Sequence, residues 1–137
     1  MFKLVLDPIN LQKEYAKVQK PEYGCILFFL GVSRNAPEDS DVKALEYFAY
    51  EEMAINQAKK LEEKLLEKYP IGEIAIIHRL GIVPVTDASL LVILASSHRM
   101  KMFAALEETV DLIKKDIPIW KKAIYESGES EWLENHF

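Results

Sequence analysis

The stretch Lys114-Lys115-Asp116-Ile117-Pro118-Ile119-Trp120-Lys121-Lys122 places four lysines and one acid within nine residues of a chain whose formal net charge is −5. Ammonium groups gathered at one place hold anions. Crowding by like charge also lowers a lysine's pKa toward the range where it exchanges protons near neutral pH or acts as a nucleophile. Two other basic positions share a property with this stretch, because each falls at the end of an expected element. Arg34 follows the apolar run 24–32, and its planar guanidinium can grip a phosphate or carboxylate with paired donors. His98-Arg99 stand where the apolar run 88–96 gives way to a helix, a corner whose free amides and helix dipole favour an anion. Arg34, His98-Arg99, and Lys114 with Lys121 thus outline a pocket for an anionic ligand.

Each group also has a plainer reading. Cations belong electrostatically at helix C-termini, which alone accounts for Lys114 and Lys115. Lys121 and Lys122 fit a strand with one exposed edge. Arg34 fits a solvated loop residue or a pair with Asp39 or Asp41. Ser96 or Ser97 fits a helix cap that leaves His98 and Arg99 in water. His78 reads as a core-edge histidine with a satisfied hydrogen bond. The residues alone lead to an α+β protein with a candidate anion pocket, and they do not name a reaction.

The elements that must position these groups follow from periodicity. Residues 2–6 predict a short strand stopped by Asp7-Pro8, and Ile9, Leu11, Tyr15 and Val18 predict a small amphipathic helix ending before Pro21. Residues 24–32 are continuously apolar and bounded by glycines, which predicts a central strand. Residues 33–41 are loop chemistry. Residues 42–50 alternate, with Leu45, Tyr47 and Ala49 on one side, as a half-buried strand does. Ala54, Ala58, Leu61 and Leu65 mark a surface helix over 51–69, whose other faces carry Glu and Lys at salt-bridging spacing. Residues 73–80 predict a strand, 81–87 a proline-containing loop, and 88–96 a second central strand. A helix then runs from Met102 or Phe103 to Asp116 or Ile117, because the residue before Pro118 avoids helical geometry. Residues 119–125 are extended, Gly128 turns the chain, and Trp132-Leu133 pack back.

Composition narrows the classes. The chain of 137 residues is expected to form one domain, 1–137, with half its residues hydrophobic and 28% charged. The acidic balance speaks against a general nucleic-acid binder. Cys25 is the only cysteine, so no intrachain disulfide can form, and its apolar setting predicts a buried, inert thiol. One cysteine and three scattered histidines make a structural zinc site a poor fit. The longest apolar runs are too short to cross a bilayer, and residues 2–6 are too short for a signal-peptide core, so the expected location is cytoplasmic.

Five motifs, in order and spacing, resemble those of the large, catalytic subunit of molybdopterin synthase. They are Phe29-Leu30-Gly31-Val32-Ser33-Arg34, the 45–50 strand leading to Met53-Ala54, His78-Arg79-Leu80-Gly81, Ser97-His98-Arg99, and Pro118-Ile119-Trp120-Lys121-Lys122. The resemblance implies an α/β hammerhead-type α+β fold, with a mixed or antiparallel sheet and flanking helices. It implies a homodimer of large subunits within a heterotetramer, each binding a small ubiquitin-like sulfur carrier whose Gly-Gly tail ends in a thiocarboxylate. The implied activity is sulfurtransferase: sulfur from two tails passes to cyclic pyranopterin monophosphate, forming the dithiolene of molybdopterin in molybdenum cofactor biosynthesis. No cofactor of its own is implied.

Carried over by position, the resemblance makes Lys121 and Lys114 catalytic. It makes Arg34, His98 and Arg99 substrate-binding, with Val32, Ser33, Lys122 and Ala123 lining the pocket. Three positions depart from the family pattern. Ser33 replaces an aliphatic residue, Ala123 replaces an acid, and His136 stands where an arginine is usual. The competing class is a non-catalytic module that grips a phosphorylated metabolite or a partner's carboxylate tail.

Overall fold

The structure, a computed structural model, describes residues 1–35 and 41–134. Its elements are β1 (Phe2–Val5), α1 (Leu11–Val18), β2 (Cys25–Val32), β3 (Val42–Ala49), α2 (Glu51–Lys68), β4 (Glu73–Arg79), β5 (Gly81–Pro84), β6 (Ala88–Ser96), α3 (Met102–Asp116), β7 (Ile119–Tyr125) and β8 (Ser130–Leu133). The strands divide into two sheets of four, ordered β1-β4-β6-β2 and β5-β3-β7-β8. In the first, β1 runs parallel to β4 and the other pairs are antiparallel; the second is antiparallel throughout. This is the mixed α+β architecture expected.

The middle of the first sheet, β4 and β6, is covered on both faces, which explains the unbroken apolar sequence of these two strands. Leu90, Val92 and Leu94 of β6 join Ile74 and Ile76 of β4 in packing against Ala54, Ala58, Leu61 and Leu65 of α2 and Met102, Ala105 and Ile113 of α3. Leu91 and Ile93 point the other way, with Ala75, Ile77 and Val18 of α1. Strand β6 is therefore central, as its sequence predicts. A third cluster, Val42, Leu45, Tyr47, Val83 and Ala123, belongs to the second sheet.

Two expectations are corrected. Strand β2 is equally apolar but lies at the sheet edge, next to β6 alone. Phe28, Leu30 and Val32 on it are exposed, so its apolar run reflects one covered and one uncovered face rather than a central position. Residues 81–87 are not all loop, because β5 pairs Ile82 with Glu46 and Val83 with Leu45. Pro84 is tolerated because β5 is an edge strand, and Gly81 (φ +81°) makes the left-handed turn out of β4.

The remaining boundaries fall close to expectation. Cys25 is free and half-buried against the main core rather than fully buried. Among the described residues no helix is long and apolar enough to cross a membrane.

The link between the two sheets is short. After α3, the Ile117 N–H donates to Ile113 (3.2 Å) and the Ile119 N–H to Ile117 (2.8 Å). The Pro118 carbonyl accepts from the Tyr50 N–H at 3.3 Å. With Ile117 buried, this turn pins the start of β7 beside the end of α3.

Leu94→Ala, at a position with no exposed surface, should cost about 2–5 kcal/mol of unfolding free energy. Urea unfolding read by circular dichroism checks this.

Candidate active site

Strand ends and one helix end converge on an open cleft of about 170 Å³. The ends of β2, β4 and β6 supply Gly31, Val32, His78, Ser89 and Leu90. Strand β3 supplies Leu45 and Tyr47, the last turn of α3 supplies Ile113 and Lys114, and the linker and β7 supply Ile117, Ile119, Trp120 and Lys121. Arg34, just beyond β2, completes the lining. Lys114 sits in the final helical turn, where the dipole favours a cation, and the tight 117–119 turn returns the chain so that Lys121 faces the same space.

Lys121 pairs with Tyr47 across the β3–β7 ladder and is half-buried. Burial, then the charges of Lys114 and Arg34, hold its ammonium below the ordinary lysine pKa of 10.5. Among the described residues no carboxylate pairs with Arg34, Lys114 or Lys121. Asp41 makes no ion pair with Arg34; Asp39, the other candidate partner, lies outside the described residues. Among the described residues the cleft is thus a cationic site without a built-in counter-ion, and it suits an anion.

His78 lines the same cleft yet is buried. Its Nδ1 lies 2.9 Å from the Arg79 carbonyl, which assigns the proton to Nδ1, so the expected satisfied hydrogen bond is present. The ring meets Tyr47 edge-on at 4.9 Å. Burial, and secondarily the charges of Lys114 and Lys121, push the imidazole down to about 4 against the backbone bond's opposing pull. Burial raises the Tyr47 hydroxyl above the ordinary tyrosine value, opposed by the neighbouring Ser89 and Ser33 hydroxyls.

The other expected site residues separate. Val32 and Arg34 reach the cleft, but Ser33 is buried outside its lining. The Ser33 main chain is tied down by Asp87 (3.0 Å) and Thr86 (2.8 Å). Its hydroxyl lies near Tyr47 without completing a hydrogen bond. Lys122 does not line the cleft either. Strand alternation turns it to the opposite face, over the rings of Trp132 (5.2 Å) and Phe48 (5.4 Å) and 4.0 Å from Glu46. Ala123 returns to the inner face but is sealed in the core of the second sheet beneath Lys121.

His98 and Arg99 lie far from the cleft of their own chain. The cleft holds Ser89 and Leu90 at the start of β6, whereas these two follow its far end. Nine residues of strand separate the places by roughly 27 Å. Both side chains are exposed. Neither Ser96 nor Ser97 caps α3. The N-cap is Lys101 in a left-handed conformation (φ 67°) with no side-chain cap bond, and the Ser96 hydroxyl bonds the His98 carbonyl instead. His136 lies outside the described residues.

Tyr47, His78 and Ser89 are cleft residues that sequence reasoning did not assign to the site. Their signal was the inward phase of three strands, but it showed only burial and not that these strand ends share a pocket.

A sheet-built cationic cleft at the end of a helix defines a small-anion enzyme or binding protein, and comparison with known proteins resolves the family. The MoaE protein family profile matches residues 4–116. The Bos taurus molybdopterin synthase catalytic subunit is 38% identical over 135 residues, covering 98% of this chain and 71% of that protein. The crystal structure of molybdopterin synthase from Staphylococcus aureus superposes with a TM-score of 0.90 at 30% identity, covering 98% of this chain and 97% of that one. A complex of subunits 1 and 2 of molybdopterin-converting factor from Helicobacter pylori shares the fold, with a TM-score of 0.83 at 18% identity over 97% of this chain and 90% of that one. The chain belongs to the MoaE family of molybdopterin synthase catalytic subunits.

The buried neutral His78 makes stability depend on acid. In the unfolded chain it takes up its proton near the ordinary value of 6.5, and in the fold near 4. The native state therefore loses stability as pH falls through that window, by on the order of 3 kcal/mol from this group. Urea titrations at pH 7 and pH 4 should show this loss in the parent and a smaller one in His78→Phe.

Proposed function

We propose that the cleft transfers sulfur from the C-terminal thiocarboxylate of a small ubiquitin-like subunit to cyclic pyranopterin monophosphate, building the molybdopterin dithiolene. The observation that carries this reading is a half-buried Lys121 with a lowered pKa, set between Lys114 and Arg34 with no carboxylate beside it among the described residues. Substrate and sulfur donor are both anions, so such a cleft draws in both.

The thiocarboxylate sulfur bonds to a side-chain carbon of the pterin as a carbon–oxygen bond breaks. The Lys121 ammonium gives its proton to the departing oxygen, and Lys114 stabilises the developing charge. Arg34 holds the phosphate with paired donors. The resulting acyl–sulfur bond is cleaved by water, which frees the tail as a carboxylate and leaves sulfur on the pterin. Neutral Lys121 serves as the base for that water.

His98 and Arg99 cannot reach the cleft of their own chain, so their assigned role requires a second copy. Strand β2 supports this, because it offers an unpaired edge with exposed Phe28, Leu30 and Val32. Antiparallel pairing of two such edges about a twofold axis sets the Cys25 end of one copy beside the Val32 end of the other. Cys25 lies opposite Ser96, so His98 and Arg99 of the second copy then approach the cleft. One small subunit per cleft completes a heterotetramer.

Lys121→Met should lower kcat/KM for sulfurated pterin by at least about a hundredfold. It should also raise the midpoint of thermal unfolding at pH 7. The lowered pKa means the unfolded state binds the extra proton, so the native ammonium costs stability below its folded pKa and that cost disappears with the charge. Near-parent turnover would overturn the reading. A parent protein that binds both components yet forms no sulfurated pterin would be a binding module instead.

The shared cleft is tested by mixing two inactive variants, Lys121→Met and Arg99→Ala, after dissociation and reassembly. Heterodimers then contain one intact site each, and about a quarter of parent turnover should return. No recovery would exclude a cleft shared between copies, and an Arg99→Ala variant with parent turnover would place Arg99 outside the reaction.

A further inference from the structure

The cleft is lined by an imidazole, that of His78, which the proposed reaction does not use. Nδ1 of His78 is committed to the Arg79 carbonyl at 2.9 Å. Nε2 is therefore the unprotonated nitrogen, an acceptor with no donor of its own, and no hydrogen bond reaches it among the described residues. The ring is fixed by its edge-on contact with Tyr47, and Tyr47 is the direct cross-strand neighbour of Lys121. Tyr47 on β3 thus stands between the imidazole on β4 of the first sheet and the amine on β7 of its own sheet.

Among the described residues, the charged and titratable groups facing this place from every packed element are cationic or neutral. They are Lys114 from α3, Lys121 from β7, Arg34 beyond β2, and Tyr47 from β3. Arg79 is engaged with Asp87 at 3.0 Å, so that carboxylate is spent on a structural pair. Arginine and ammonium groups only donate hydrogen bonds. A lysine that gives up a proton and takes one back in each cycle needs an acceptor to aim its ammonium, and a carboxylate there would cancel the charge that attracts the substrates. A neutral imidazole aims the amine without neutralising the cleft.

We propose that His78 is a positioning residue for Lys121, its Nε2 accepting a hydrogen bond from the Lys121 ammonium when the cleft is charged with its anionic ligands. The anion screens the repulsion among the three cations and lets the amine settle toward the imidazole. His78 neither gains nor loses a proton in this role, and its low proton affinity keeps Nε2 free as an acceptor throughout the working pH range. This inference rests on Lys121 being the functional amine of the cleft.

The test compares the parent chain with His78→Phe, which keeps an aromatic ring against Tyr47 but has no acceptor, and His78→Gln, whose amide oxygen restores one. The first readout needs no turnover. The pH dependence of Lys121 acetylation by acetic anhydride, read by mass spectrometry with inorganic phosphate occupying the cleft, gives the amine's pKa directly. Loss of the acceptor disfavours the ammonium, so the midpoint should move to lower pH in His78→Phe and return toward the parent in His78→Gln. The second readout is steady-state sulfur transfer. In His78→Phe, kcat should fall roughly tenfold with KM within twofold, and His78→Gln should recover much of it. A folded His78→Phe with an unchanged Lys121 midpoint overturns the proposal. Equal midpoint shifts in both variants also overturn it, because they would mark a packing effect. If the parent forms no sulfurated pterin but the midpoints shift as stated, the sulfur-transfer reading fails while the His78 pairing stands.

Discussion

Repulsion among Arg34, Lys114 and Lys121 is the interaction on which the rest of the site depends. Each of the three would be harmless in water, and the helix dipole even welcomes Lys114. Brought to one cleft with no carboxylate beside them among the described residues, they add their repulsion to the larger effect of burial, and together the two hold Lys121 below its ordinary proton affinity. The surrounding fold keeps that arrangement from relaxing. The buried Ile113 and Ile117 fix the end of α3, and Tyr50 ties down the Pro118 carbonyl. Seven pairings with β3 hold β7 in register. A single slip of that register would swap Lys121 for Lys122 and turn the cleft's amine outward.

The same alternation separates two lysines that look equivalent in the chain. Lys121 faces inward with Tyr47, while Lys122 faces out with Glu46 and spreads over Phe48 and Trp132. The outer position has both an acid and aromatic faces to satisfy its charge. Among the described residues the inner one has neither an acid paired with its ammonium nor an aromatic face beneath it. Strand periodicity thus divides neighbouring lysines between the cleft and the outer face.

Edge position has consequences of its own. Strand β2 carries as apolar a sequence as β6, but only β6 is covered on both faces and paired on both sides. The uncovered side of β2 ends at the cleft, at Val32, and begins beside the corner that carries His98 and Arg99. An edge of that kind is a liability for an isolated chain. As a self-pairing surface it would join one copy's corner to the other copy's cleft, which gives a reason for keeping it apolar and unprotected.

Local periodicity and chain-breaking residues determined a great deal. The phase of Leu45 and Tyr47, the helix ending before Pro118, the turn at Gly128 and the central place of β6 all follow from near-neighbour sterics and burial patterns. The family was also legible in the ordered motifs. Which end of a strand a residue occupies relative to a pocket is not a local property. His98 and Arg99 looked like partners of the lysines because each pair ends an element, and only the antiparallel run of β6 against β2 and β4 showed that the two ends face opposite ways. Lys122 and Ala123 were likewise credited to the pocket until pairing with β3 set their faces. His78 and Tyr47 were legible as buried but not as lining a site, because long-range pairing between strands far apart in sequence decides which buried side chains meet.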